Sequence, residues 1–518
     1  HSLFAHLCDQ YYGRHSQAGP GLTILESWKD APCETPLFAD KLPVGSILHP
    51  DLSFGADRVV FSFCDHSVGK HDSVHIPTHP HLANQGYDND INGRRHFVIY
   101  EGTLDGRQLR QLTGTATDPM TTREGFRTVL IEDFDPCYLP DGGIAFVSTR
   151  NQGFGRCHWG RYTPSYLLYR ASADGSDIRQ ISFGEANEWD PSVLPDGRLV
   201  YSRWDYINRS NTWFQSLWTT NPDGTATAHY YGNYSVNPCM LNEARAIPGT
   251  QKILGTAMAH HFITAGSIVR VDPHRGQDGM EPLTRLTPDV KFPESEGWDL
   301  QGCYANPYPL TEHLFLAAYS AEPVRWETSR GQSSGTWPTN TAFGIYLVDS
   351  LGGRELIYRD PETSCFAPIP IQVRSRPPVL ATATVASDAR PDTGTCYVRN
   401  VYEGPQGLTP GSVRQLRINR IHSQPTASAA GRSPAVEEVV KSVIGTVPVD
   451  ADGSVAFNVP SGVGFQIQAL DENGLAVMTM RSLMYVQPGE TIGCAGCHES
   501  RATAPPARGP AGTEIPVR

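Results

Sequence analysis

The feature that most limits the fold is a degenerate repeat across residues 49–370. Its clearest copy is Phe134-Asp135-Pro136-Cys137-Tyr138-Leu139-Pro140-Asp141-Gly142, followed by the apolar run Ile144 to Val147. A second copy is Trp189-Asp190-Pro191-Ser192-Val193-Leu194-Pro195-Asp196-Gly197, followed by Leu199-Val200-Tyr201. Weaker copies begin at Pro50-Asp51-Leu52-Ser53, Asn237-Pro238-Cys239-Met240, Asn306-Pro307-Tyr308-Pro309 and Ala367-Pro368-Ile369-Pro370. Between them lie Asp-Gly turns flanked by alternating apolar residues, as at Asp105-Gly106 and Asp174-Gly175. Asp-Gly in that setting is the strongest short hairpin signal. Starts near 51, 135, 190, 237, 306 and 367 predict about six sheets of four strands. The expectation is an all-β chain with a six-bladed β-propeller over residues 1–384. Asp135 and Asp190 hold equivalent repeat positions, where an Asp is expected to cap the turn that starts a blade.

Residues 385–490 change character. Leu416 and Ile418 alternate with polar residues, as do Val455, Phe457 and Val459, then Phe465, Ile467 and Ala469. With turns at Asp452-Gly453 and Glu472-Asn473-Gly474, this period of two predicts an antiparallel β-sandwich. Residues 423–436 are small and polar and are expected to form a loop within it. Gly and Pro, at 49 and 41 residues, suit short strands joined by turns rather than helical bundles.

The remaining segment, 491–518, carries the most specific chemistry. Cys494-Ala495-Gly496-Cys497-His498 is C-x-x-C-H, the attachment signature of a c-type haem. Two thiols three residues apart on one turn can add to the two vinyl groups of a single porphyrin. The adjacent imidazole of His498 then reaches the iron as an axial ligand. Zinc would need four ligands, and no second C-x-x-C is present. A thioredoxin-like redox site would need a surrounding βαβ pattern, which is missing. The 20 residues after His498 are Pro-rich and contain no Met. A haem here must therefore be buried by upstream domains, on or between them. The Met residues just before the motif, Met478, Met480 and Met484, lie in sandwich strands, and the strand period places Met478 and Met480 on its core face. No Met ligation of the iron is expected.

Covalent haem attachment takes place outside the cytoplasm, so a bacterial periplasmic or exported protein is expected, and the sequence reads as a mature chain. The net charge of −12 and the lack of a basic run argue against nucleic acid. No stretch approaches ~18 consecutive apolar residues, so no membrane span is expected. Of eleven cysteines, nine lie outside the haem motif, an odd number, so at least one is free, metal-bound or paired outside the chain.

Other candidates compete with ordinary structural roles. His260 and His261 follow a probable strand, Leu254 to Met258, and could serve the distal face of a haem. On a strand the two would point oppositely. Cys157, His158, Cys303 and Cys365 are candidate zinc or haem-pocket ligands, although a free Cys is commonly a small buried apolar residue. His66, His71, His75, His79 and His81 crowd a long insertion whose prolines indicate an extended loop.

These residues together resemble the hydrazine synthase alpha-subunit-like family. The D-P-x-x-x-P-D-G blades, of the WD40/TolB-like kind, carry the resemblance along with Gly155-Arg156-Cys157-His158, Asn187-Glu188-Trp189-Asp190-Pro191 and Ala259-His260-His261. Arg359-Asp360-Pro361-Glu362 with Ser364-Cys365, and Val486-Gln487-Pro488-Gly489-Glu490 before the haem motif, complete it. The resemblance covers most of the chain and is most specific in the C-terminal block. It implies a haem c, redox chemistry on a small nitrogen compound, and a zinc beside the motif histidine with a Cys such as Cys303 or Cys365 among its ligands. Two departures stand out. This sequence has one C-x-x-C-H where the family's alpha chains have a second haem domain. Where a family Tyr four residues past the motif His can serve the iron, this chain has Ala502. That returns His498 to the axial role. The expected partners are a small-molecule substrate or a redox partner protein, with a place as a subunit of a larger complex. The alternative reading is an electron-transfer or partner-docking cytochrome subunit without catalysis of its own.

Overall fold

A computed structural model describes residues 16–19, 21–27, 32–68, 95–118, 131–151, 165–185, 187–205, 213–329, 332–382, 392–404, 408–422, 440–494 and 496. The architecture is all-β. Five four-stranded antiparallel sheets follow one another along the chain, each a simple meander. Their first strands are Gly45–Leu52, Asp133–Tyr138, Asn187–Val193, Leu241–Ala246 and Cys303–Pro309. These strands pack side by side in chain order, so they form the inner wall of a propeller. The fifth sheet carries a three-stranded insert, Asp299–Leu300, Val324–Ser329 and Gln332–Thr336.

Every inner strand has a bulge at the same place. Its register against the second strand shifts between Leu48 and Asp51, Phe134 and Cys137, Trp189 and Ser192, Asn242 and Arg245, and Ala305 and Tyr308. Within each bulge one residue turns left-handed: His49 (φ 47°), Asp135 (47°), Asp190 (48°), Glu243 (55°) and Asn306 (49°). A bulge of this kind breaks the pleat and re-aims its side chain. The structure thereby corrects the expected role of Asp135 and Asp190. They sit mid-strand at the bulge, while the blade turn is served by Asp141, whose Oδ1 accepts from Gly143 N at 3.0 Å. The fourth repeat is also displaced. Its bulge residue is Glu243 rather than Asn237, because Ala244 stands where the other copies have Pro and hides the match.

The repeat predicts six sheets, and the described residues hold five. The sixth position keeps only its inner segment. Ala367 has the same left-handed backbone (φ 51°) before Pro368, yet residues 361–382 form no strand. Beside it the hairpin Leu22–Glu26 with Cys33–Leu37 fills space against the first sheet, where Leu37 and Phe38 pack with Phe61, Phe63 and Ile369. Tyr358 Oη of the fifth sheet donates to Glu34 Oε1 of that hairpin at 2.5 Å. Between sheets the core is aromatic: Phe97, Phe134, Tyr166, Trp189 and Trp204 follow one another at centroid separations of 5.4–6.2 Å.

Beyond the propeller two sheets face each other. One is Val455–Pro460, Thr393–Val398 and Thr491–Cys494; the other is Val440–Pro448, Gln415–His422, Phe465–Leu470 and Ala476–Thr479. Their shared core contains Cys396, Leu416, Ile418, Val455, Phe457, Val459, Phe465 and Ala469, with Met478 and Met484 packed against it. The boundary expected at 384/385 falls in residues 383–391, outside the described ones. No helix of the described chain is long and apolar enough to cross a membrane.

Candidate functional site

The C-x-x-C-H segment begins at the end of strand Thr491–Cys494. That strand pairs in parallel with Thr393–Val398 and forms one edge of its sheet. Cys494 is half-buried and forms no disulfide with another described cysteine. The two glycines around it permit a close approach. A Cβ on Gly493 would lie 2.1 Å from the Tyr397 ring, and one on Gly496 would lie 2.3 Å from the Glu403 carbonyl. Cys497 and His498 lie outside the described residues. A half-exposed thiol at a strand end, on a turn seated by glycine, suits thioether formation, so the described part of the motif fits a haem c.

The preceding residues, 482–490, anchor this segment to the second and third propeller sheets. Arg203 is 1% exposed; its Nε donates to Asp205 Oδ1 at 2.8 Å and its Nη2 to the Leu483 carbonyl at 3.1 Å. Ser482 Oγ donates to Asp205 Oδ2 at 2.6 Å. Gln487 Nε2 donates to the Ile181 carbonyl at 2.9 Å, and Glu490 Oε1 accepts from Ala226 N at 2.7 Å. The block Val486-Gln487-Pro488-Gly489-Glu490 is thus the dock that holds the haem motif beside the propeller. Nearby, Glu188 accepts from Ser182 Oγ and from Leu168 N. Burial pushes its carboxyl up to about 7, against the pull of Arg203.

The other candidates are placed as follows. His260 and His261 lie past the strand Ile253–Ala257, in the loop to the next strand, with rings only 4.3 Å apart. They therefore do not point oppositely. His260 is fully buried, with Nδ1 2.8 Å from Gln215 Nε2 and its ring 4.5 Å from that of Trp204. His261 Nδ1 lies 2.7 Å from Glu294 Oε1. Cys303 is buried in the apolar core between the fourth and fifth sheets, where burial pushes its thiol up. Cys365 is half-buried, and its N donates to the Phe343 carbonyl at 3.0 Å. Among the described residues neither cysteine joins a cluster of metal-ligating side chains. Cys157 and His158 lie outside the described residues, as do His71, His75, His79 and His81. His66 Nε2 lies 2.8 Å from Ser16 Oγ. The eight described cysteines form no disulfide with one another.

A constellation that the sequence reading passed over lies at the bulges. The six left-handed residues point to one mouth of the propeller, around a small cavity that is partly open to solvent. His49 Nδ1 contacts Asp135 Oδ1, and His49 Nε2 lies 3.9 Å from Asp190 Oδ1. Asp135 Oδ2 accepts from Asp190 N at 3.0 Å, and Glu243 Oε2 accepts from Asn306 N at 2.7 Å. Three of the bulge side chains, His49, Asp135 and Glu243, thus engage the next bulge around the ring. Asp51 Oδ1 sits 3.9 Å from Arg245 Nη1 and 3.5 Å from Arg374 Nη2 at the same mouth. Burial disfavours the His49 imidazolium, but Asp135, then Asp190 and Glu243, outweigh it and hold the group at about 9. Burial, then Asp135, pushes Asp190 up to about 8.

Comparison with known proteins bears on the C-terminal block first. A family described as "Hydrazine synthase alpha subunit middle domain" matches residues 411–499, from the sandwich through the C-x-x-C-H. Hydrazine synthase subunit alpha of Kuenenia stuttgartiensis is 23% identical over 492 residues, covering 77% of this chain. The chain is similar to hydrazine synthase alpha subunits. It spans 56% of that relative's length. The solved hydrazine synthase of Kuenenia stuttgartiensis superposes with a TM-score of 0.65 at 17% identity, over 99% of this chain and 72% of the other. The hydrazine synthase alpha-like fold therefore extends over the propeller as well as the matched C-terminal block.

Proposed function

We propose that this chain is an exported haem c protein that performs redox chemistry on a small nitrogen compound, as one subunit of a larger complex. The observation that carries the reading is the position of C-x-x-C-H: it closes the stretch matched to the hydrazine synthase alpha family, on a strand end docked to the propeller. When bound, a haem would supply a one-electron couple and an iron coordination position. The chain's own residues do the rest. Cys494 presents a half-exposed thiol at a fixed place, and Tyr397 and Glu403 back the turn through Gly493 and Gly496. Arg203, Asp205, Gln487 and Glu490 fix that turn against the second and third sheets. Met478 and Met484 are committed to the sandwich core, which supports an iron site without Met ligation.

The reading is tested by adding NO, cyanide and hydroxylamine to the purified full-length haem protein, oxidised and reduced, and following the optical spectrum. Binding of hydroxylamine or NO, with no absorption of the kind that marks a Met–iron bond, is expected. Failure of all three ligands in both oxidation states would leave the chain an electron-transfer or docking subunit.

A further inference from the structure

The cluster at the propeller mouth does something that the haem reading leaves unused. We propose that His49, Asp135 and Asp190 hold a divalent first-row transition ion at the mouth of the propeller channel, with Glu243 supplying charge from the fourth inner strand. One donor atom from each of His49, Asp135 and Asp190 can be chosen so that all three lie within 4.8 Å of one another. Ligands to such an ion stand about 2.0–2.2 Å from it, so rotation of short side chains closes that separation. The backbone already makes the convergence: three bulges on adjacent inner strands turn left-handed and aim three side chains at one point.

Two further observations point to a cation. Asp190's side chain is 12% exposed, faces the cavity, and accepts no hydrogen bond from any described residue. A buried carboxylate left without a donor costs free energy, and a bound cation removes that cost. The charge count agrees. Asp135, Asp190 and Glu243 line the cavity against His49 and Arg245, so carboxylates outnumber the basic side chains there. The donor set also sets the class of ion. One imidazole nitrogen with carboxylate oxygens, and no thiolate, suits Zn²⁺, Mn²⁺ or Fe²⁺ over the softer ions, and the nitrogen disfavours Ca²⁺. Cys137 lines the same cavity, but burial pushes its thiol up and keeps it protonated.

The test uses the full-length haem protein, stripped with chelator and titrated with Zn²⁺ and with Mn²⁺ by calorimetry, with non-haem metal counted by elemental analysis. The wild type is expected to bind one ion per chain. Asp190→Asn and His49→Gln should each weaken it at least tenfold. A Cys494→Ala, Cys497→Ala variant should bind as the wild type does, which separates this site from the haem motif. Asp190→Asn removes a carboxylate with no hydrogen-bond donor, so its metal-free melting should be no lower than the wild type's, which keeps the result readable if His49→Gln folds poorly. Wild-type affinity in Asp190→Asn, no binding of either ion below millimolar concentration, or equal affinity for Ca²⁺ would overturn the proposal.

Discussion

The C-x-x-C-H segment draws its reactive groups from five consecutive residues at the end of one edge strand, whereas the mouth cluster draws its from positions 49, 135 and 190 on three different sheets. The first arrangement needs little from the fold except a place to sit. Its geometry is written in the spacing of Cys494, Cys497 and His498, and the fold contributes the dock at residues 482–490. The second exists only because three consecutive propeller sheets pack their inner strands side by side. No residue of it is near another in sequence, and each is aimed by a bulge that depends on the neighbouring strand. Chemistry confined to one turn can be moved between folds; chemistry spread over a ring of blades is tied to that ring.

This contrast can be broken most severely at the haem motif. Replacing Cys494 and Cys497 together with Ala should abolish covalent haem entirely, as read by haem-stained denaturing gels, while circular dichroism keeps its β signature. Collapse of the propeller in that variant would show that the two regions are not separable.

Loss of the dock should come next. Arg203→Ala strips the buried Asp205 of its cation and the Leu483 carbonyl of its donor. Breaking a buried pair from one side costs roughly 3–5 kcal/mol, so denaturant unfolding should move by about that amount. A change below about 1 kcal/mol would mean that the sandwich is held to the propeller elsewhere.

A smaller effect is expected from pH. Glu188 titrates at about 7 in the fold, above its ordinary value near 4.5. Between those values the folded chain holds a proton that the unfolded chain releases. This contribution to stability is complete below about pH 4.5 and is lost as pH rises through about 7. Stability measured across that window should fall less steeply in Glu188→Gln than in the wild type. An unchanged slope would remove Glu188 from the account of the dock.

The smallest effect belongs to Cys303. Buried among apolar residues, it should cost only about 1 kcal/mol when changed to Ala, with no change in metal content by elemental analysis. Loss of one zinc per chain would instead restore the zinc reading of this residue.

How much of this was legible follows the same divide. The turn Pro140-Asp141-Gly142 and the alternation of Val455, Phe457 and Val459 are local patterns, and each corresponds to a local feature of the chain. The inner bulge was half legible. Its Asp-Pro pair was seen at 135 and 190, but its role was misjudged, since a strand bulge is recognised by its partner's register rather than by its own residues. His49 was missed because the first copy was read from Pro50 onward. Glu243 was missed because Ala244 replaces the proline. The sixth blade is legible only in its inner segment for a related reason: among the described residues Ala367-Pro368 keeps the inner bulge, and outer strands cannot be inferred from a signature that marks only the inner one. His260 and His261 were read as strand residues because Leu254 to Met258 is apolar, and nothing local shows the chain leaving the sheet after Ala257.

The central claim is that this hydrazine synthase alpha-subunit-like chain carries one covalent haem. It is tested most directly by producing the full chain in a host with c-type haem maturation and taking its intact mass together with its pyridine haemochrome spectrum. The account predicts the mass of the chain plus one haem, with a c-type spectrum that survives acid–acetone extraction. A chain of unmodified mass, with the thiols of Cys494 and Cys497 both open to alkylation, would contradict it.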